Sequence, residues 1–416
     1  MKNVIRIGKK GKVKLAQTLQ ISEQPFDSRI GLIQSLIPLG LAMVNEELQN
    51  ELMELIGARH DRERKNPDYY RWGQQAGSIY LDDRKFRLAI PRVRDFVHNK
   101  EIPLKTYQAF QKPHKMDEGV LKRIARGLSC RDYEKCVDAV PEAFGLSAST
   151  VSRRFIQASS RKLKELMERD LSVYDIVAIF MDGKYFADDE IIMALGVTMK
   201  GQKIPLGFIQ SGTENEVVLK EFLNGLFDRG LNIENGVLCV MDGSKGFSAA
   251  VKKVFGSRAL IQRCQWHKRE NVLKYLPKHM YRTWRKKLQN AYEKPTYEEA
   301  KAALNKLKPE LKLINESAVR SLEEGMEETL TLHHLGLFDK LGTSFKTTNC
   351  IESVMSQVAK YTDKVDYWKN SSQKQRWVAT ALLEIEPNLR TVKGYRHLPL
   401  LRNALKEHLN LFKKAA

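Results

Sequence analysis

The apolar positions along this chain change period several times, and each change predicts a different element. Ile30 to Ile56 reads as one or two helices, with Leu48, Leu52, Leu55 and Ile56 at helical spacing. From Tyr80 to Arg94 the period falls to two. Arg84-Lys85-Phe86-Arg87-Leu88-Ala89-Ile90-Pro91-Arg92-Val93-Arg94 alternates basic and apolar side chains, which predicts a half-buried ribbon with a cationic outer face. Pro91 confines it to a sheet edge or a strand end, because proline has no N–H to give a ladder. Such a ribbon can lie along a phosphate backbone, or use its charge to keep an edge strand from aggregating. The alternation leaves both open.

Helical spacing returns at Asp117. Ser129 and Asp132 form a capping-box pattern, the helix behind them carries Cys136 and Val137, and Pro141 ends it. Phe144-Gly145-Leu146-Ser147 then makes a glycine turn and a serine cap for a helix opening Ala148-Ser149-Thr150-Val151-Ser152-Arg153-Arg154. Two helices joined this way match the helix-turn-helix pattern, whose second helix would carry Ser149, Ser152, Arg153 and Arg154 to DNA. Glycine turns also join helices in proteins that bind no DNA. A linker helix, Arg161 to Asp170, follows.

Two continuous apolar runs dominate the middle of the chain. Ile176 to Phe180 leads into Met181-Asp182-Gly183, and Gly236 to Val240 leads into Met241-Asp242-Gly243. Runs of this kind predict strands buried on both faces, each with an aspartate at its mouth. Between them lie Ile191 to Val197 and Ile204 to Ile209, which complete a three-stranded meander, and an amphipathic helix from Asn215 to Arg229 closed by Gly230. A helix at Phe247 to Phe255 and a fifth strand at Ala259 to Cys264 follow, giving a mixed α/β pattern. Beyond His267 the chain reads as helical to about Leu335, with breaks at Pro277, Pro295 and Pro309. Thr347-Thr348-Asn349-Cys350-Ile351-Glu352 opens a helix whose Ile351, Val354, Met355 and Val358 face a sheet. The basic remainder is helical.

Composition narrows the partner. The 416 residues are 42% hydrophobic and 29% charged, as in a globular protein, and their length suits two to four domains. Seventy Lys and Arg against fifty Asp and Glu give a formal charge of +20. That excess favours a polyanion, nucleic acid above all, with an acidic membrane or a merely solvated surface as alternatives. Ile30 to Val44 is too short and too polar to span a bilayer. Five scattered cysteines and no signal peptide fit a reducing cytoplasm.

Asp182, Asp242 and Glu352 thus stand at element ends facing a sheet. Hard carboxylate oxygens suit Mg²⁺, and clustered carboxylates without a cation would repel one another. Each also has a structural reading: an Asp-Gly hairpin turn, Asp242 as a helix cap, or Asn349 and Glu352 as a capping box. Cys264-Gln265-Trp266-His267 is half a zinc site at most, since no second pair lies at suitable spacing, so no zinc is expected. His267 is better placed beside the carboxylates, with Lys268 and Arg269 adding positive charge.

Taken together, the two Met-Asp-Gly segments, Arg263-Cys264-Gln265-Trp266-His267-Lys268-Arg269-Glu270-Asn271 and Thr347-Thr348-Asn349-Cys350-Ile351-Glu352 resemble the Mutator-type transposases of bacterial insertion sequences. The resemblance runs from about residue 30 to 385, and includes Pro91-Arg92-Val93-Arg94 and Gly127 to Arg154. Trp72 departs from it, standing where many members carry Asn, as does Ser353 after Glu352.

The resemblance implies a ribonuclease-H-like α/β core with an all-α insertion, preceded by helical and helix-turn-helix DNA-binding domains. Asp182, Asp242 and Glu352 would hold two Mg²⁺ ions, with Mn²⁺ able to substitute, for strand cleavage and strand transfer. Cys264, His267 and Asn349 would support the site. Arg92, Arg94, Ser149, Ser152, Arg153, Arg154, Lys268 and Arg269 would contact DNA. The expected partners are double-stranded DNA at terminal inverted repeats and at the target, and a second copy of the chain, since two ends must be brought together. No membrane is expected, and the place of work is the bacterial cytoplasm at the nucleoid. Expected boundaries are 1–66 (helical), 67–115 (basic ribbon), 116–170 (helix-turn-helix and linker), 171–267 and 341–385 (core), 268–340 (insertion) and 386–416 (helical tail). Two rivals remain: a DNA-binding regulator without catalysis, and a nuclease of ribonuclease-H type that never joins strands.

Overall fold

The computed structural model describes residues 26–59, 66–81, 84–111, 116–133, 143–144, 147–186, 189–211 and 216–415. The first two dozen residues, most of the 59–65 linker, and the 134–142 helix and Gly145 turn of the expected helix-turn-helix lie outside them. The chain divides into two compact units, one drawn from Met1–Val120 and Ser129–Arg153, the other from Leu121–Leu128 and Arg154–Ala416.

In the first unit the Ile30 to Ile56 pattern is one helix, α1 (Phe26–Ile56). Val44, Leu48, Leu52 and Ile56 recur every four residues and are buried, and Gly57 ends the helix at φ +96°. That stripe packs on one face of a ribbon formed by β1 (Tyr69–Leu81) and β2 (Arg84–Asp95), against Ile79, Phe86, Ile90 and Val93. The strands pair antiparallel with a bulge between Arg71 and Gln74. Opposite it the burial of β2 changes phase, from Phe86 and Ile90 to Pro91, Val93 and Asp95. β2 is the middle strand, yet Pro91 is tolerated. β3 (Lys100–Ile102) pairs it only at Val93 to Asp95 and the later two-residue strand only at Lys85 and Phe86. Among the described residues, Pro91 therefore faces no ladder on its second side.

A short helix, α2 (Lys105–Ala109), is capped from α1, where Glu51 accepts the amides of Lys105 (2.6 Å) and Thr106 (2.9 Å). α3 (Met116–Ala125) comes next. The Ser129–Asp132 pair forms, with the Asp132 amide donating to Ser129 Oγ at 3.0 Å, but residues 130–133 are turns. β4 (Ala143–Phe144) is the two-residue strand on β2. The helix expected after Ser147 and the linker helix are one continuous element, α4 (Ala148–Met167).

The second unit is built on β5 (Ile176–Phe186), β6 (Asp189–Thr198), β7 (Lys203–Ser211), β8 (Val237–Met241) and β9 (Ala259–Arg263). Their order is β7-β6-β5-β8-β9, with the first three antiparallel and β8 and β9 parallel to β5. The expected meander is there, and the two Met-Asp-Gly runs are neighbours in space. α5 (Glu216–Asp228) and α6 (Lys245–Val254) cover one face through Leu219, Phe222, Leu223, Phe247 and Val251.

From β9 the chain enters α7 (Gln265–Leu273), α8 (Tyr281–Tyr292), α9 (Tyr297–Ile314), α10 (Glu316–Glu323), α11 (Met326–Thr329), α12 (Thr331–His334) and α13 (Phe338–Phe345). Pro277 and Pro295 fall between helices, but Pro309 lies inside α9. Ala300, Leu304 and Leu311 pack into the apolar core of this helical block, and that burial carries the helix through the proline. α14 (Asn349–Thr362), α15 (Ser371–Ile385) and α16 (Leu398–Ala415) return to the sheet and cover its second face. α16 is fastened by Arg402, which donates to the Gly236 carbonyl at 2.7 Å and the Ile176 carbonyl at 2.9 Å. Among the described residues no helix is long and apolar enough to cross a membrane.

Candidate active site

Alternation in the sheet sets the direction of the aspartates. Ala178 and Phe180 of β5 and Leu238 and Val240 of β8 belong to the core under α14, while Ile179, Met181, Cys239 and Met241 belong to the opposite one. Met181 and Met241 are register partners on these parallel strands. Asp182 and Asp242 are the next residue on each, and neighbouring strands lie about 4.8 Å apart. The two aspartates therefore stand side by side where the parallel pairing ends, in phase with the face that α14 covers. Asp242 lies just past β8, but Asp182 is inside β5 and not at the expected strand end or Asp-Gly turn, because pairing with β6 carries the strand on to Phe186. Ile351, Val354, Met355 and Val358 bury the expected face of α14, which puts Glu352 in its first turn at the edge of that contact.

Local hydrogen bonds correct two capping readings. Asp242 accepts the Ser244 amide at 3.0 Å, closing a turn, and the N-cap of α6 is Ser244. At α14 the cap is Thr348 rather than Asn349, which is already helical and exposed. Thr348 donates its hydroxyl to Glu352 Oε1 at 2.6 Å, which fixes the carboxylate four residues on.

Cys264 and His267 stitch these segments together. The Cys264 amide donates to the Met241 carbonyl at 2.8 Å, directly before Asp242. Its sulfur accepts the amides of His267 and Thr348, each at 3.4 Å. The Gln265 amide donates to the Lys346 carbonyl at 2.9 Å. The end of β8 and the start of α14 are thereby held to one turn. His267 Nε2 lies 4.0 Å from Glu352 Oε1. Burial works against a charge on this imidazole, but Cys264, Asp182 and Glu352 together raise its pKa above the ordinary value. Burial likewise opposes a Cys264 thiolate, and the His267 hydrogen bond and charge overcome it, lowering that pKa. Both effects converge on one electrostatic neighbourhood holding Asp182, Glu352, Cys264 and His267.

Glu190 is a fourth carboxylate that sequence reasoning missed. It is buried at the start of β6, where burial first and the charge of Asp242 second raise its pKa. A Cβ on Gly183 would come within 2.5 Å of Glu190 Oε1, so the glycine after Asp182 makes the room for it. The only signal in the sequence is an acidic residue opening an apolar run. Thr348 was also missed, although it stands four residues before Glu352.

The residues expected at DNA are spread over both units. In the first, Arg92 is paired with Glu101 through two hydrogen bonds of 2.9 and 2.7 Å. Arg94 lies with its guanidinium carbon 3.3 Å from the centre of the Trp72 ring. Ser149 and Arg153 are exposed and Ser152 is half-buried. In the second unit Arg154 is buried. Lys268 is buried too, its ammonium donating to the Ser321 carbonyl at 2.7 Å and to the Glu324 carbonyl. Arg269 is held by Glu270 and Gln289, each at 3.3 Å. Adjacency to His267 therefore does not turn Lys268 and Arg269 toward the carboxylates; the helical block uses both cations. Among the described residues, no group of three or more His, Cys, Asp or Glu is arranged to hold a metal ion.

Fold and site together define a mixed α/β protein with an acidic centre where its parallel strands end. The chain belongs to the Mutator family of transposases, whose profile matches residues 12–391. It is 23% identical over 359 residues to the transposase for insertion sequence element IS256 in transposon Tn4001 of Staphylococcus aureus, a match covering 82% of this chain and 87% of the relative. It is 24% identical over 378 residues to the transposase for insertion sequence element ISRM5 of Rhizobium meliloti, covering 86% and 90%. With the transposase for IS6120 of Mycolicibacterium smegmatis the identity is 28% over 239 residues, covering 56% and 72%. A transposase is an enzyme that acts on DNA, which supplies the polyanion that the net charge asks for.

Proposed function

We propose that this chain cuts DNA at the terminal inverted repeats of an insertion sequence and joins the freed ends to target DNA, with Asp182, Asp242 and Glu352 as its cutting site. One observation carries the reading. Two aspartates follow register-paired residues on adjacent parallel strands, and the helix on that face presents a glutamate in its first turn. The sheet order, three antiparallel strands and then two parallel ones between helical layers, is what a ribonuclease-H-like core requires.

The donor set fits a hard divalent cation in kind: three carboxylates, with negative charges from Asp182 and Glu352 meeting at His267. Mg²⁺, or Mn²⁺ in its place, would supply Lewis-acid polarisation of the scissile phosphate and of the attacking hydroxyl or water. The chain's own residues do the rest. Thr348 and the Cys264 turn fix Glu352 and Asp242. His267 sets a positive charge among the carboxylates and offsets their repulsion. In the first unit, Arg92 and Arg94 on the ribbon and Ser149, Ser152 and Arg153 on the exposed start of α4 are the DNA contacts, in a helix-turn-helix reading of that region. Lys268, Arg269 and Arg154 serve the fold instead. Two element ends must meet, so the working form is at least a dimer, at the bacterial nucleoid.

The test is metal-dependent nicking of duplex DNA carrying the repeats that border the coding sequence. Asp182→Ala and Asp242→Ala should abolish nicking and strand transfer, and Mg²⁺ should raise the Tm of the wild type but not of either variant. Full activity in Asp242→Ala would sink the reading in favour of a DNA-binding regulator. Nicking with no joined product would favour a plain nuclease.

A further inference from the structure

Between β5 and α14, the elements that carry Asp182 and Glu352, lies a cavity of about 260 Å³ that the cutting chemistry leaves unused. It is smaller than the roughly 300–1,000 Å³ of sites for drug-sized ligands, and suits one aromatic ring system. Phe186 and Trp368 form an edge-to-face pair at 4.7 Å on its wall, and Trp377 backs Trp368 at 6.1 Å. Met355 and Ala359 of α14 line it, and Lys184 and Asp363 supply a cation and a carboxylate. Its position follows from the two elements that carry the candidate site. Lys184 and Phe186 are two and four residues beyond Asp182 on β5, hence in phase with it. Met355 and Ala359 are three and seven residues beyond Glu352, so on the same side of α14 one and two turns on.

We propose that this cavity seats one unstacked nucleobase of the DNA strand held at Asp182, Asp242 and Glu352. The inference rests on those carboxylates being the cutting site. An aromatic wall takes the flat face of any base, while a lysine and a carboxylate offer a donor and an acceptor to its edge. The net charge of +20 selects a polyanion as the molecule that brings such a ring here. Trp368 and Phe186 act as positioning residues, holding the strand so that its phosphate stays beside the carboxylates.

The test uses the full chain without divalent ion and two probes: a 30-base-pair blunt duplex, and the same duplex with a three-nucleotide 3′ extension containing 2-aminopurine. The extension should tighten binding about tenfold, in the range expected for stacking one base, and the 2-aminopurine fluorescence should fall several-fold on binding. Trp368→Ala should bring the affinity ratio of the two probes close to one and remove the quenching, and Trp368→Phe should restore most of both. Ala359→Phe, which fills the cavity without taking packing away, should also collapse the ratio, so the answer does not depend on how well Trp368→Ala folds. Equal affinities in the wild type, or an unchanged ratio and quenching in Ala359→Phe, would overturn the proposal. No strand is cut in this assay, so its failure is distinct from failure of the cutting site, which would appear as metal-dependent nicking that survives Asp182→Asn.

Discussion

The two sheets of this molecule treat charge differently. Among the described residues the ribbon of β1 and β2 is covered on one face only, by α1 and the α2 segment, and its outer face carries Arg92 against Glu101 and Arg94 against Trp72. The sheet β7-β6-β5-β8-β9 is covered on both faces, and from Ile176 to Met181 every residue of β5 is buried. In the ribbon, charge can sit anywhere along a strand because water is always on one side. In the central sheet a charge is held only near the end of the buried stretch: Asp242 lies just past β8, and Asp182 is the last buried position of β5 before the half-buried and exposed residues Gly183 to Phe186. An acidic centre framed by apolar walls can concentrate its field on a cation and a phosphate. A solvated basic face gives attraction that salt screens.

That contrast can be broken at several points. The largest effect belongs to the two aspartates: Asp182→Ala or Asp242→Ala should lower nicking by about 10³-fold or more, with circular dichroism unchanged and only a small loss of Tm, such as that of the Asp242–Ser244 turn bond. A large loss of Tm in both would make them structural. Within the strand, Phe180→Ala removes a fully buried ring stacked 5.5 Å from Phe345. It should cost about 3–5 kcal/mol in urea unfolding of the second unit. Trp72→Ala, at a site 36% exposed on the ribbon, should cost no more than about 1 kcal/mol.

On the ribbon and α4, Arg92→Ala and Arg153→Ala should each weaken binding to DNA carrying the bordering repeats a few-fold at 0.15 M salt and make the salt dependence shallower by about one counterion. An unchanged affinity in both would remove these residues from the DNA face. The smallest effect concerns His333, buried against Phe338 at 3.7 Å with Nε2 at 3.0 Å from the Tyr292 carbonyl. Burial lowers its pKa, so the unfolded chain binds this proton first. The stability it contributes is complete above about pH 6.5 and is lost as pH falls through the lower folded value. Urea midpoints should therefore decline below pH 6.5, and His333→Leu should flatten that decline.

Much of this was legible in the residue pattern. The meander and the α5 and α14 faces show in the spacing of apolar residues, and the two buried strands show as continuous apolar runs, because burial acts on each element separately. Asp182 was read as a strand end, but pairing with β6 carries β5 on to Phe186. Capping at α14 was misread by one residue, since Thr348 and Asn349 both suit a helix start and only the bond to Glu352 distinguishes them. Pro309 was read as a break because the packing of Leu304 and Leu311 is not visible from proline's local preference. Lys268 and Arg269 looked like free cations because sequence adjacency to His267 says nothing about the Ser321 and Glu324 carbonyls that hold the first or the Glu270 and Gln289 side chains that hold the second.

The sequence by itself determined most of the elements, the positive charge and the three carboxylates Asp182, Asp242 and Glu352 as candidates, together with the family its motifs resemble. Only the tertiary structure decided that β8 enters beside β5, so that residues sixty apart become neighbours, and that Cys264 ties the end of β8 to the start of α14. It also brought Glu190 up to Gly183. The reason is physical. Periodicity records how much of each element is hidden from water, whereas the choice of which strand lies next to which is made by long-range pairing that no local window contains.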